Sequence, residues 1–173
     1  MTAVRDTNPK RAVLALGSNL GDREQTLRDA TAALAERFTV VAASGIVQTP
    51  ALKPHGVDRD APAYLNAVVI VETTLEPEQL LTLVNGIEHT HGRVRDEHWG
   101  DRTLDIDIVA MDDVTLDTDK LTIPHPRAAS RAFVLAPWLD IDPTAELPGH
   151  GPIADLLASL GETAEPYEAR PLI

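Results

Sequence analysis

The sequence contains no cysteine, which excludes disulfide bonds, thiolate metal sites and cysteine nucleophiles. Aromatic residues make up only 3% of the chain, so Leu, Val, Ile and Ala must supply most of the core. No apolar run approaches the roughly 20 residues that a membrane-spanning helix needs. The N-terminal segment MTAVRDTNPKR contains no apolar signal core. We therefore expect a cytoplasmic protein, with a disordered extension over residues 1–10 and no membrane partner.

Positive charge is in deficit, because 15 Lys and Arg residues face 27 Asp and Glu residues and the formal net charge is -12. An acidic chain repels polyphosphate backbones, so we expect no nucleic-acid partner. The length of 173 residues suits one compact domain, which we place at residues 11–161 and expect to be a monomer. A loose tail is expected over residues 162–173. Basic groups are nevertheless concentrated in one stretch, which contains Arg93, Arg95, Arg102, His125, Arg127 and Arg131. A solvated surface of mixed charge would also explain that concentration.

Apolar periodicity predicts the order strand, helix, strand, strand, helix, strand, followed by a further strand and helices. The predicted strands cover residues 11–16, 39–48, 64–74, 103–110 and 114–116. The predicted helices start at an Asp22 cap with Gln25 and at Pro77, and cover 128–139, ended early by Pro137, and 153–160. Residues 51–62 and 93–102 are expected to be irregular loops. The order is that of an α+β, ferredoxin-like split βαβ fold, with an antiparallel sheet and helices packed on its faces.

The pair Asp105 and Asp107 is the strongest chemical signal in the sequence. Residues i and i+2 of a strand point to the same face, so these two carboxylates lie side by side while Ile106 and Ile108 face the core. Two neighbouring carboxylates repel each other unless a cation lies between them, and hard oxygen ligands favour Mg²⁺. A simple solvent-exposed face is the alternative interpretation.

The residues around this pair favour a polyphosphate ligand. Arginine side chains bind phosphate oxygens in a forked geometry, and Mg²⁺ neutralises the remaining charge. Trp99, in a charged loop, fits a lid over a flat ligand, although it could also fold back on its own loop. His125 is as consistent with a structural hydrogen bond as with a ligand contact. The chain has neither a Walker nor a Rossmann glycine motif, but the GSNLG segment at 17–21 could bring backbone amides close to a ligand.

Six segments together resemble the 6-hydroxymethyl-7,8-dihydropterin pyrophosphokinase family. They are GSNLGD, QTPAL, YLNAVV, GRVR, WGDRTLDIDI and LTIPHPRAASRAFVL, and they extend from about Ala12 to about Asp142. The resemblance implies a ferredoxin-like fold and transfer of pyrophosphate from ATP to the pterin in folate biosynthesis. The products would be AMP and the pterin diphosphate. Lys120 departs from the family pattern, since an arginine is expected there, and it loses the guanidinium fork.

The same resemblance implies a role for each matching residue. Asp105 and Asp107 would hold two Mg²⁺ ions against the ATP phosphates, and with Arg93 and Arg102 would form the catalytic group. The pterin would be bound by Thr49, Pro50, Leu52, Tyr64, Asn66, Trp99 and Phe133. ATP would be bound by Glu88, Arg95, Ile108, Thr122, His125 and Arg131. The loops at 51–62 and 93–102 would exclude water from the reaction.

Two other functions remain compatible with these residues. A non-catalytic ferredoxin-like module could bind a small ligand or a partner without consuming ATP, because fold alone does not determine function. A metal-dependent phosphohydrolase could use the same Asp pair to release phosphate from ATP without any pterin.

Overall fold

The protein is described by a computed structural model that covers residues 8–53, 56–58, 63–91 and 104–173. The helices are α1 (Arg23–Arg37), α2 (Pro77–Thr90), α3 (Ala132–Ile141) and α4 (Ile153–Leu160), and a 3-10 turn covers Ala128–Ser130. The longer strands are β1 (Lys10–Ser18), β2 (Thr39–Ala43), β3 (Ile46–Thr49), β6 (Tyr64–Thr73) and β7 (Asp105–Met111). The short strands are β4 (Ala51–Lys53), β5 (Gly56–Asp58), β8 (Leu116–Asp117), β9 (Thr122–Ile123), β10 (Glu146–Leu147), β11 (Gly151–Pro152) and β12 (Glu165–Tyr167).

The main sheet is antiparallel and has the strand order β12-β3-β6-β1-β7, with β2 paired to the far end of β6. Helices cover both faces. Leu27 of α1 and Leu80 of α2 pack on one face, while Leu135 of α3 and Ile153 of α4 pack on the other. This double cover explains why β6 is buried along nearly its whole length. The arrangement confirms the predicted α+β, ferredoxin-like fold.

The first two helices begin where the sequence predicts. The Asp22 side chain accepts a hydrogen bond of 3.1 Å from the Gln25 backbone amide, which satisfies one of the free amides at the start of α1. Helix α2 begins at Pro77, whose missing N–H costs nothing in the first turn. The Glu76 amide before it donates to the Gln79 side chain over 3.0 Å.

The predicted strand at 39–48 is wrong in one respect, because the chain breaks it into β2 and β3 at Ser44 and Gly45. At the break, the Ser44 amide donates to the Val68 carbonyl over 2.9 Å. The Ser44 hydroxyl accepts from the Val68 amide over 2.8 Å. The serine side chain thus replaces a backbone carbonyl in the ladder, and β6 keeps its hydrogen bonds across the irregularity.

The prediction that Pro137 ends its helix early is also wrong. Helix α3 starts at Ala132, contains Pro137 and continues to Ile141. Proline removes one helical hydrogen bond and crowds the carbonyl four residues earlier. The neighbouring side chains of Leu135 and Trp138 are 0% and 2% exposed, so their burial offsets that loss. Residues 128–130 form a separate 3-10 turn rather than the first turn of the helix.

Two segments expected to be irregular contain regular structure. Strands β4 and β5 pair as a hairpin within the predicted loop 51–62. The C-terminal tail is not loose, because β12 pairs with β3, and Arg28 of α1 donates to the carbonyls of Arg170 at 2.6 Å and Pro171 at 2.8 Å. Strand β3 would otherwise leave one row of backbone groups unpaired, and β12 satisfies them. Residues 1–7 and the whole of the predicted loop 93–102 lie outside the described residues.

Strand β1 begins at Lys10, one residue before the predicted domain start. Among the residues that the structure covers, no helix combines the length and apolarity needed to cross a bilayer.

The substitution Ser44→Ala should destabilise the fold by about 1–3 kcal/mol, since it leaves the buried Val68 amide without an acceptor. Urea unfolding followed by circular dichroism measures this change. Ser159→Ala is the matched control, because that hydroxyl is exposed near the end of α4 and its loss should change the unfolding free energy little. Equal midpoints for the two variants would contradict the proposed role of Ser44.

Candidate active site

The acidic pair stands at the start of β7, next to the central strand. Asp105 lies opposite Gly17 and Asp107 opposite Ala15 of β1. Both aspartates are half-buried, whereas Ile106 and Ile108 are each 3% exposed on the other face. The predicted alternation is therefore confirmed. The predicted strand start at Thr103 lies outside the described residues, and β7 itself begins at Asp105.

Arg131 connects the acidic pair to an aromatic ring. Its Nη1 atom lies 3.7 Å from Asp107 Oδ2, and its guanidinium carbon lies 5.5 Å from the centre of the Phe133 ring. Burial lowers the pKa of Arg131, and the charge of Asp107 opposes that shift. An arginine nevertheless keeps its charge in proteins. The side chain is therefore a fixed cation beside the carboxylates.

His125 is held by the backbone on both sides. Its amide donates to the Val109 carbonyl of β7 over 2.8 Å, and its Nδ1 atom accepts from the Arg127 amide over 3.1 Å. Burial lowers the pKa of His125, although Asp107 opposes the shift. With Nδ1 acting as an acceptor, a neutral ring carries its proton on Nε2. His125 can therefore offer its Nε2–H to a ligand as a hydrogen-bond donor.

A large cleft of about 860 Å³ opens on one side of the acidic pair. Its walls include all the predicted pterin contacts whose side chains are described, together with the two aspartates: Thr49, Pro50, Tyr64, Asn66, Phe133, Asp105 and Asp107. The side chain of Leu52 and the whole of Trp99 lie outside the described part of the chain. The structure therefore brings together residues from β3, β6, β7 and α3 that are far apart in sequence.

An amide–hydroxyl pair lies in the wall of this large cleft. Asn66 Nδ2 donates to Thr49 Oγ1 over 3.3 Å, and the two residues come from the paired strands β6 and β3. Asn66 is 6% exposed. An amide held by one hydrogen bond in this way keeps a defined plane and still has a further N–H and a carbonyl oxygen to offer.

A small cleft of about 300 Å³ opens on the other side of the same carboxylates. It is lined by most of the predicted ATP contacts, with Lys120 and the acidic pair: Glu88, Ile108, Thr122, His125, Lys120, Asp105 and Asp107. Glu88 is 2% exposed, and its Oε1 atom accepts from the Ile106 amide over 3.3 Å. Glu88 thus fixes the start of β7 from α2, a structural contribution that the sequence did not indicate.

Among the described residues, Asp105 and Asp107 are the two that line both clefts. In the described part of the chain, no group of three or more His, Asp or Glu side chains forms a closed metal cage. Two carboxylates suit Mg²⁺, which keeps several coordination positions for water and substrate phosphates. The donor set therefore fits the predicted cofactor.

Other predicted residues lie outside this description, and some cleft residues were missed. Arg93, Arg95 and Arg102 fall in the segment that the structure does not describe. Glu162 and Thr163 line the large cleft although the sequence suggested a loose tail. The left-handed Gly161, with φ of 64°, and the pairing of β12 with β3 bring them there. No local pattern signals such a placement.

Comparison with protein-family models gives one match that covers most of the chain. Residues 13–143 match the model of 7,8-dihydro-6-hydroxymethylpterin-pyrophosphokinase (HPPK). Among curated relatives, 2-amino-4-hydroxy-6-hydroxymethyldihydropteridine pyrophosphokinase of Bacillus subtilis is 43% identical over 132 residues, which are 75% of this chain and 77% of the relative. The protein of the same name from Mycobacterium bovis is 40% identical over 163 residues, 87% and 84% of the two chains.

Solved structures agree on the fold. The Plasmodium falciparum HPPK-DHPS A437G structure with pteroate has a TM-score of 0.66 and 14% identity, and the match covers 89% of this chain. The present chain spans 43% of that longer protein. At this level of identity the likeness concerns the fold alone. The family model and the curated relatives together establish that the chain belongs to the 7,8-dihydro-6-hydroxymethylpterin-pyrophosphokinase family.

Proposed function

We propose that the enzyme performs its family's reaction with one substrate in each cleft. 6-Hydroxymethyl-7,8-dihydropterin occupies the large cleft, ATP occupies the small cleft, and pyrophosphate passes between them beside Asp105 and Asp107. The observation that carries this proposal is that the same two carboxylates line both clefts. A group transferred from one cleft to the other must pass them.

The large cleft has the chemistry that a pterin requires. A pterin is a flat heterocycle with an amide-like edge, so it needs a ring or an apolar surface against its face and both a donor and an acceptor at its edge. Phe133 supplies the ring, and Asn66, held by Thr49, supplies the donor and acceptor. Pro50 and Tyr64 complete the described wall, and we assign Leu52 and Trp99 to the same substrate on the basis of their sequence motifs.

The small cleft has the chemistry that a nucleotide requires. Thr122, Lys120 and the Nε2–H of His125 offer hydrogen-bond donors, and Ile108 offers an apolar surface. Glu88 acts by holding the start of β7. Arg131, although predicted as an ATP contact, lines the large cleft beside Asp107. From there its guanidinium can neutralise oxygens of the transferred pyrophosphate. We assign Arg93, Arg95 and Arg102 to the phosphates from their sequence positions.

Asp105 and Asp107 would hold two Mg²⁺ ions, which would supply charge neutralisation for the ATP phosphates. In the reaction, the hydroxymethyl oxygen forms a bond to the β-phosphorus. The bond from that phosphorus to the oxygen bridging it to the α-phosphorus breaks, and AMP leaves with the bridging oxygen. The hydroxyl proton passes to solvent. Because this transition state is loose, alignment and charge neutralisation contribute more than a strong base does. We also propose that the enzyme is a monomer and that it acts in the cytoplasm.

The first expected outcome concerns the products. With ATP, Mg²⁺ and hydroxymethyldihydropterin, the enzyme should release AMP and pterin diphosphate in equal amounts, because the β-phosphorus is the one attacked. Phosphorus NMR and nucleotide chromatography measure both products. ADP would instead indicate an ordinary kinase. Phosphate released from ATP without pterin would indicate a phosphohydrolase, and no ATP consumption would indicate a binding module.

The second outcome concerns the acidic pair. Asp105→Asn and Asp107→Asn should each lower kcat by roughly 10³-fold at fixed Mg²⁺, since metal-based charge neutralisation contributes several kcal/mol to such transition states. Asp140→Asn, an exposed carboxylate in α3, is the matched control and should keep normal kcat. Circular dichroism checks that each variant is folded. Near-normal turnover of either site variant would refute the metal assignment.

A further inference from the structure

Gly17 lies between Asn66, a predicted pterin contact, and Asp105 of the acidic pair. It lies on β1 directly opposite Asn66 of β6 on one side and Asp105 of β7 on the other. It also lines the large cleft. Gly17 is not among the described residues that have a positive φ, so the backbone itself does not require glycine here. The reason for glycine must therefore be steric.

The space beside Gly17 is taken by the amide of Asn66. A Cβ atom placed on residue 17 would lie 2.9 Å from Asn66 Oδ1, 4.0 Å from its Cγ and 3.9 Å from the Leu65 carbonyl oxygen. A distance of 2.9 Å is too short for a non-bonded contact between a Cβ atom and an oxygen, so one of the two atoms would have to move. The backbone of β6 has little freedom to move, because β6 is paired on both sides. The Asn66 side chain would have to rotate instead.

Ala15 shows that a methyl group is tolerated two residues earlier on the same face. It lies opposite Asp107 of β7 and Val68 of β6, and it also lines the large cleft. The acidic side of the cleft thus accommodates a Cβ on β1. The requirement at position 17 is specific to the neighbour on β6, the one predicted pterin-binding amide in the described wall.

We propose that Gly17 is a positioning residue that sets the plane of the Asn66 amide. The missing side chain leaves room for Oδ1, while Thr49 Oγ1 accepts from Nδ2 on the opposite side, 3.3 Å away. Rotation away from residue 17 would break the contact with Thr49 and turn both the donor and the acceptor away from the pterin edge. This inference rests on the proposed placement of the pterin in the large cleft.

The test is a double-mutant cycle of Gly17→Ala and Asn66→Ala, assayed by AMP formation. Gly17→Ala should raise the KM for the pterin roughly tenfold, the value of one hydrogen bond, and change the KM for ATP less than twofold. In the Asn66→Ala background there is no amide to displace, so Gly17→Ala should raise the pterin KM less than twofold further. Gly86→Ala is the matched control, because a Cβ there meets nothing within 4 Å.

The proposal would be overturned if the two substitutions multiplied each other's effects on the pterin KM. It would also be overturned if Gly17→Ala left the pterin KM unchanged. If Gly17→Ala fails to fold, its urea midpoint is compared with that of the double variant. A higher urea midpoint in the double variant than in Gly17→Ala supports the steric conflict, and an equal or lower midpoint refutes it. Wild-type AMP formation is measured in the same assay. Its absence would refute the proposed function, while the coupling of urea midpoints would still decide the conflict between Gly17 and Asn66.

Discussion

The active site depends on the repulsion between two carboxylates that the sheet forces to the same side. The pairing of β7 with β1 fixes the register, and the burial of Ile106 and Ile108 prevents the strand from turning over. Asp105 and Asp107 therefore cannot separate by rotation of the backbone. The guanidinium of Arg131, 3.7 Å from Asp107, offsets part of this repulsion, and in our proposal bound Mg²⁺ offsets more of it.

The overall charge makes that cation more than a catalytic accessory. A protein of net charge -12 has to bind ATP, which is itself a polyanion, next to two further negative charges. Coulomb repulsion would oppose this encounter at every distance within the screening length. In our proposal, Mg²⁺ held by the acidic pair reverses the local sign, and Arg131 adds a fixed positive charge. In our proposal, the pair repels nucleotide without Mg²⁺ and attracts it with Mg²⁺, so metal loading and substrate binding are coupled.

Sequence reasoning succeeded wherever a short-range pattern determines the outcome. The period of two along residues 105–108 placed the carboxylates correctly, and the cap at Asp22 and the helix at Ile153–Leu160 were predicted at their observed positions. The gathering of Thr49, Asn66 and Phe133 into one wall came from the family resemblance and not from periodicity. The structure places these residues in one wall because strands β3 and β6 pair and α3 packs over them, and their role in pterin binding stays a prediction.

The errors share a physical cause, which is dependence on distant partners. Ser44 interrupts a strand because its hydroxyl accepts a hydrogen bond from the Val68 amide, 24 residues away in sequence. Pro137 remains in its helix because Leu135 and Trp138 are buried against the sheet. The tail is ordered because β3 has a free edge and α1 presents Arg28. None of these partners can be identified from a local window, since the competing local preference is outweighed only after the fold has assembled.

The ordered tail also supports the wall of the large cleft. Strand β3 carries Thr49 at its end, and its outer edge pairs with β12, where Gln48 lies opposite Glu165. The inner edge of β3 pairs with β6, where Thr49 lies opposite Tyr64. The hydroxyl that orients Asn66 therefore belongs to a strand held from both sides, and one of those sides is contributed by the last residues of the chain. The pairing with β12 reaches Gln48, the residue before Thr49, so without β12 the strand that carries Thr49 would have a free outer edge. If the pterin binds in the large cleft as we propose, β12 contributes to its recognition by holding β3 in place, without touching the ligand.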